Sequence, residues 1–233
     1  FFKKREAFSD TQFWVLMGLF ILACVVFYNQ PQIAMWIGFG LAGYSAIAND
    51  SIQTLGTFIC SNRKSKWWVL WLFIGSIMLA VLLYGWYSNG GDASYGRLEK
   101  IPEVSSFNIL QILAPVVLLI LTHYKIPVST TFLLLSVFTS SKTVGAMLEK
   151  TVIGYVVAFV AALAIWAIVG SLVKNKILFR KKYNEKLWRV FQWAATAYLW
   201  TSWLMQDLAN ITVYLPRSLS LTNIVLVSLS LFL

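Results

Sequence analysis

Charge is what this sequence has least of. Aspartate and glutamate together number 9 in 233 residues, and all charged residues make up 12%, against about 25% in an average soluble domain. That scarcity excludes a soluble enzyme domain, and a hydrophobic content of 59% excludes a disordered chain. Histidine occurs once, as His123. It reads as an interfacial residue rather than a proton relay. One histidine leaves no metal-ligand spacing and no Ser/His/Asp set whose members could meet, so neither an enzyme nor a resident cofactor is expected. Cysteine occurs twice, at Cys24 and Cys60, without CxxC or Cys/His spacing. A disulfide or zinc site is therefore not supported, and both read as small buried apolar residues.

What the chain does have is apolar length. Aromatics reach 16%, with 11 Trp, and long apolar runs are separated by short basic clusters. A span needs roughly 20 mostly apolar residues, so the expected class is an all-α polytopic membrane protein with the lipid bilayer as its first partner. The net charge is +10, but the basic residues flank apolar spans as cytoplasmic loops do, and nucleic acid is not an expected partner. The spans read as Thr11–Tyr28, Gln32–Ile59, Trp67–Tyr87, Phe107–Tyr124, Ile126–Ala146, Thr151–Val173, Val190–Leu215 and a last one from Leu219. Trp67, Trp68, Trp86 and Trp188 stand near span ends, where indoles favour the headgroup layer. Lys142 reads as a span end that snorkels.

Loop charge predicts the orientation. Lys3, Lys4 and Arg5 precede the first span; Arg63, Lys64 and Lys66 follow the second; seven basic residues lie between Lys174 and Arg189. In the loop Ser88–Ser106, by contrast, Asp92, Glu99 and Glu103 balance Arg97 and Lys100. Basic loops inside place the N-terminus in the cytoplasm, in a plasma or inner membrane. Segment Asn175–Leu187 fits an interfacial helix and a solvated basic linker equally well. Ile126–Ser141 is short for a span, and a crossing with an unwound start at Pro127 is preferred to a re-entrant hairpin. The organisation expected is an N-terminal helix (1–30), a first repeat of five spans (31–173), a basic linker (174–189) and the start of a second repeat (190–233). The chain begins Phe1-Phe2 without Met and ends at Leu233 within an apolar run, and reads as part of a longer protein.

Only Asp50 and Asp207 among the acidic residues fall inside these spans. A carboxylate at membrane depth costs several kcal/mol unless it is paired, hydrated or bound to a cation. Both stand in related strings, Asn49-Asp50-Ser51-Ile52-Gln53 and Gln206-Asp207-Leu208-Ala209-Asn210, each amide–Asp–x–x–amide, with Ser45 and Ser202 five residues before the Asp. With five spans to a unit, the second copy is inverted relative to the first. That is the plan of secondary transporters whose broken helices meet at the midplane. A break is expected near Asn49, where short polar side chains compete for backbone bonds. A third string, Lys125-Ile126-Pro127-Val128-Ser129-Thr130-Thr131-Phe132, offers hydroxyls and free N–H groups at a helix start. That suits an anion or a plain helix cap about equally.

These strings resemble the inorganic phosphate transporter (PiT) family, with this chain as a divergent member. Ala48-Asn49-Asp50-Ser51-Ile52-Gln53-Thr54-Leu55-Gly56-Thr57 follows the spacing of that family's Gly-Ala-Asn-Asp-x-x-Asn-x-x-Gly motif. Gln206-Asp207-Leu208-Ala209-Asn210 follows the second copy more loosely, and Pro127-Val128-Ser129-Thr130-Thr131 matches the family's Pro-Val-Ser-Thr-Thr string. Ile47, Gln53, Gln206 and Phe132 depart from the pattern. The resemblance implies an inverted-repeat carrier of inorganic phosphate, coupled to sodium or protons, with sulfate or another oxyanion as the alternative substrate. A membrane assembly subunit is the alternative of a different class. Ser129, Thr130, Thr131, Asn49 and Asn210 are the expected substrate ligands; Asp50, Asp207, Gln53 and Gln206 are the expected cation ligands. A homo-oligomer is compatible with such a chain.

Overall fold

Short polar residues set where the helices begin. Ser9 and Gln12 form a reciprocal cap at the start of α1 (Asp10–Phe27), each side chain meeting the other's backbone N–H. Asn108 and Gln111 do the same for α4 (Ile109–His123). Pro31 opens α2 (Pro31–Ser61), where its missing N–H costs nothing. The Asn184 side chain accepts from the N–H groups of Lys186 and Leu187 to cap α7 (Glu185–Thr212). Between these lie α3 (Trp67–Ser88), α5 (Thr130–Leu135) running into a 3₁₀ turn (Ser136–Phe138), and α6 (Ser141–Lys174); α8 (Leu221–Phe232) is last. The computed structural model describes residues 9–126, 128–174 and 184–232; within α2, only the backbone is described at residues 52 and 53. The described residues are helical and contain no strand. Three helices, Asp10–Phe27, Trp67–Ser88 and Ser141–Lys174, are long and apolar enough to cross a membrane.

Helix α2 is the centre of the bundle: it packs chiefly against α4 and α7, while α1 lies against α4 and α2, α3 against α7, and α8 against α3, with its Leu231 at Gly43 of α2. Phe39, Leu82, Ile112, Leu118, Leu208 and Ile224 are buried there. One joint explains itself from the chain. Pro115 lies inside α4, so the carbonyl four residues earlier, on Gln111, receives no helical N–H. The Tyr214 hydroxyl donates to that carbonyl at 2.6 Å. Its ring reaches there because Gly38 of α2 has no side chain: a Cβ would stand 2.2 Å from the ring.

Hydrogen bonds sort the loops to two ends. At one end His123 lies 3.6 Å from Asp10 and stacks on Phe13, and Asn62 accepts from the Trp193 indole. At the other, Leu219 N–H donates to the Gly91 carbonyl and Arg217 donates to Ile101. The basic loop after α2 and the near-neutral loop after α3 are therefore at opposite ends.

Several expectations need correction. Ile126–Ala146 is not one span. It holds the six-residue α5, the 3₁₀ turn, a break at Thr139–Ser140 and the first residues of α6, which begins at Ser141 rather than Thr151. Hydroxyls at Ser136, Thr139, Ser140 and Ser141 crowd that break, and Ser140 and Thr143 pair with each other, an alternative to helical bonding. The segment still runs back along α4: Asn49 beside the end of α4 reaches the Val128 carbonyl, and Gln111 at its start reaches that of Val137. Helix α2 passes through Asn49 and Asp50 without a break, because the Asn49 side chain bonds sideways to other helices instead of to its own backbone. Helix α7 likewise runs unbroken through Asp207. The Trp86 indole also donates to the Leu219 carbonyl, which joins α3 to the segment that precedes α8. Cys24 is buried as expected, but Cys60 is exposed, on the outward side of the end of α2. Pro127 and residues 175–183 of the basic linker lie outside the described residues; Lys186 and Arg189 belong to the first turns of α7.

Candidate functional site

The start of α5 threads between α2 and α7, and each neighbour grips one threonine of it. From α2, the Asn49 amide donates to Thr130 Oγ1 at 3.1 Å and to its own neighbour Asp50 at 2.9 Å. Thr130 in turn donates to the second Asp50 oxygen at 2.8 Å. From α7, the Asn210 amide donates to Thr131 Oγ1 at 3.0 Å and to Asp207 Oδ1 at 2.5 Å. The opposite orientation of the Asn210 amide would set its oxygen against the carboxylate, which electrostatics opposes. So the two Asp–amide strings meet, 157 residues apart in sequence, on adjacent residues of a third.

They meet at a cavity of about 510 Å³. Asp50, Ser129, Thr130, Thr131, Gln206 and Asp207 line it, together with Val128, Tyr155 and Trp203. Six of the nine residues expected from sequence thus share one cavity. Asn49 and Asn210 do not line it. They are 8% and 0% exposed, and their amide N–H groups are spent on the carboxylates and the threonines. Both position the site from behind. The Gln53 side chain lies outside the described residues. Ser45 is buried and donates to the Ala42 carbonyl of its own helix, a local role.

The two aspartates are not equivalent. Both Asp50 oxygens accept hydrogen bonds. Asp207 is 5% exposed, and its Oδ2 is buried with no donor among the described residues, as is the neighbouring Asn210 Oδ1. Two buried acceptors without donors cost free energy. A cation or a proton would satisfy them, and carboxylate and carbonyl oxygens suit a small hard cation. Asp50 and Asp207 line the same cavity, and two carboxylates on one cavity favour a positive guest.

The hydroxyls divide the same way. Thr130 gives its proton to Asp50 and so belongs to the carboxylate side. Thr131 and Ser129 use their oxygens as acceptors, from Asn210 and from the Phe132 N–H. Their own O–H groups are left to donate into the cavity, which is what an oxyanion needs. Sequence reasoning missed Tyr155 of α6 and Trp203 of α7, whose surroundings carry no polar motif. It also missed Thr122, whose hydroxyl donates to Asn49 Oδ1 at 3.2 Å.

Comparison with protein-family models, with curated proteins and with solved structures gives no match.

Proposed function

We propose that this chain carries the translocation site of an ion-coupled secondary transporter of inorganic phosphate, of the kind the PiT-like strings imply. Sodium or a proton is the coupling cation, and the basic end of the bundle is cytoplasmic in a plasma or inner membrane. The observation that carries this reading is the convergence of Asp50 and Asp207 on one cavity, with Thr130 and Thr131 between them. Buried carboxylates and donor hydroxyls side by side favour a cation and an oxyanion together. The aspartates repel an anion until a cation neutralises them, which couples the two bindings. Neutral O–H donors also suit a carrier that must release its cargo, where a buried arginine fork would hold it. The two grips on adjacent threonines fit a unit repeated with inverted topology, with the site at the junction of the copies.

The test is uptake of labelled phosphate into vesicles holding the purified protein, under a sodium or a proton gradient. Thr131→Val removes one donor, worth about 1–3 kcal/mol, and should raise half-saturating phosphate about tenfold or more. Sulfate as competitor decides the anion: competition by sulfate without phosphate uptake would reassign the substrate. No uptake of either anion would retire the carrier in favour of an assembly subunit.

A further inference from the structure

A second cavity, of about 570 Å³, adjoins the first and shares Ser129, Thr131 and Gln206 with it. Its other walls differ in kind. Arg97 and Lys100 line it from the loop between α3 and α4, and Lys150 lines it from α6, against a single carboxylate, Glu99. Among the described residues the one contact within 4 Å between a basic side chain and a carboxylate is His123 with Asp10, so none of these three cations has a carboxylate that close.

The loop that carries Arg97 and Lys100 has an ordered set of backbone contacts. Asp92 accepts from the Ser94 N–H, the Ser94 hydroxyl and the Gly96 N–H. The Tyr95 ring lies on Gly85, where a Cβ would stand 2.6 Å from it, and its hydroxyl donates to the Val81 carbonyl. Leu98, between the two exposed cations, and Ile101, after Lys100, are buried. These contacts set the backbone that places Arg97 and Lys100 at the cavity wall.

We propose that Arg97, Lys100 and Lys150 form an anion-collecting vestibule, through which an oxyanion reaches the Asp50–Asp207 cavity from the end of the bundle that carries this loop. The proposal rests on the cavity taking an anion. A cleft lined by charge of one sign, with low-dielectric walls, raises the local concentration of its counter-ion by about 10 to 1,000 times. The inner cavity then needs no fixed cation of its own. Capture falls to the cations and selection to the hydroxyls of Ser129 and Thr131.

Two measurements test it separately from transport chemistry. In the first, Ala146→Cys is placed in the vestibule wall of a Cys60→Ser protein. Its reaction rates with negatively and positively charged methanethiosulfonates of similar size are compared, each divided by the rate with a small free thiol. The anionic reagent should be preferred by about tenfold or more at about 20 mM salt, and much less at about 0.5 M, where the screening length falls to about 4 Å. Arg97→Gln, Lys100→Gln and Lys150→Gln together should abolish the preference, and Lys150→Arg alone should keep it. In the second, the triple variant should show half-saturating phosphate raised about tenfold at low salt, converging on the parent at high salt, with maximal uptake unchanged. A parent without the labelling preference, or a triple variant that keeps it, overturns the vestibule even where uptake is normal. A clear labelling preference in a protein that carries no anion would instead refute the carrier and leave an anion-attracting wall.

Discussion

Asp207→Asn should destroy cation binding and stabilise the fold, and the opposite signs are what make it informative. The substitution keeps size and shape but removes a charge at a residue 5% exposed. Two unit charges about 4 Å apart attract by about 4 kcal/mol at an effective dielectric of about 20. Losing that attraction would weaken the cation about a thousandfold, and at least tenfold after allowing for the spread in such values. Stability should move the other way. Asp207 Oδ2 is buried without a donor, and a neutral amide removes the charge whose burial is costly. The Asn210 bond survives, because the new side chain keeps an oxygen where Oδ1 stands. Asp50→Asn is the control. Both Asp50 oxygens accept bonds, so an amide there loses an acceptor and should lower stability. The assay is thermal unfolding in detergent across a cation titration. A ligand at 100 times its Kd stabilises by about 2.7 kcal/mol. The parent should therefore melt progressively higher as cation is added, while Asp207→Asn should start higher and stay flat. A variant that melts lower than the parent and keeps the full cation response would refute the reasoning and make Asp207 a helix-to-helix tie.

Gly38→Ala should lower stability by about 2–5 kcal/mol. It forces the Tyr214 ring off its seat, adding overpacking to an unsatisfied Gln111 carbonyl; Tyr214→Phe, which only loses the bond, should cost about 1–3 kcal/mol by thermal unfolding. In intact cells, an impermeant thiol reagent should label Asn89→Cys and miss Lys64→Cys, since these loops lie at opposite ends of the bundle; the reverse labelling would invert the orientation.

Composition alone pointed to a helical chain with helices apolar enough to cross a bilayer. Few charges and long apolar runs leave helices as the economical way to satisfy the backbone in lipid, and three such helices are present. The candidate site was legible because carboxylates are rare in such runs: Asp50 and Asp207 stood out by cost before any contact was known. Spacing could not show which atoms face the cavity. Asn49 and Asn210 share the polar chemistry of Thr131 and Gln206, yet packing turns the amides to the back of the site and leaves the hydroxyl and Gln206 at its wall. The continuity of α2 was equally a tertiary matter. Its polar residues predict a break only if they turn on their own backbone, and here Thr122 and Thr130, far along the chain, give Asn49 better partners. The vestibule was invisible for a like reason. Arg97 and Lys100 read as ordinary loop charges, and only the seat of Tyr95 on Gly85 and the lie of α6 bring them with Lys150 over one opening. Charge and hydropathy are properties of residues and can be read in order; a shared cavity is a property of distances, and those exist only once the chain has folded.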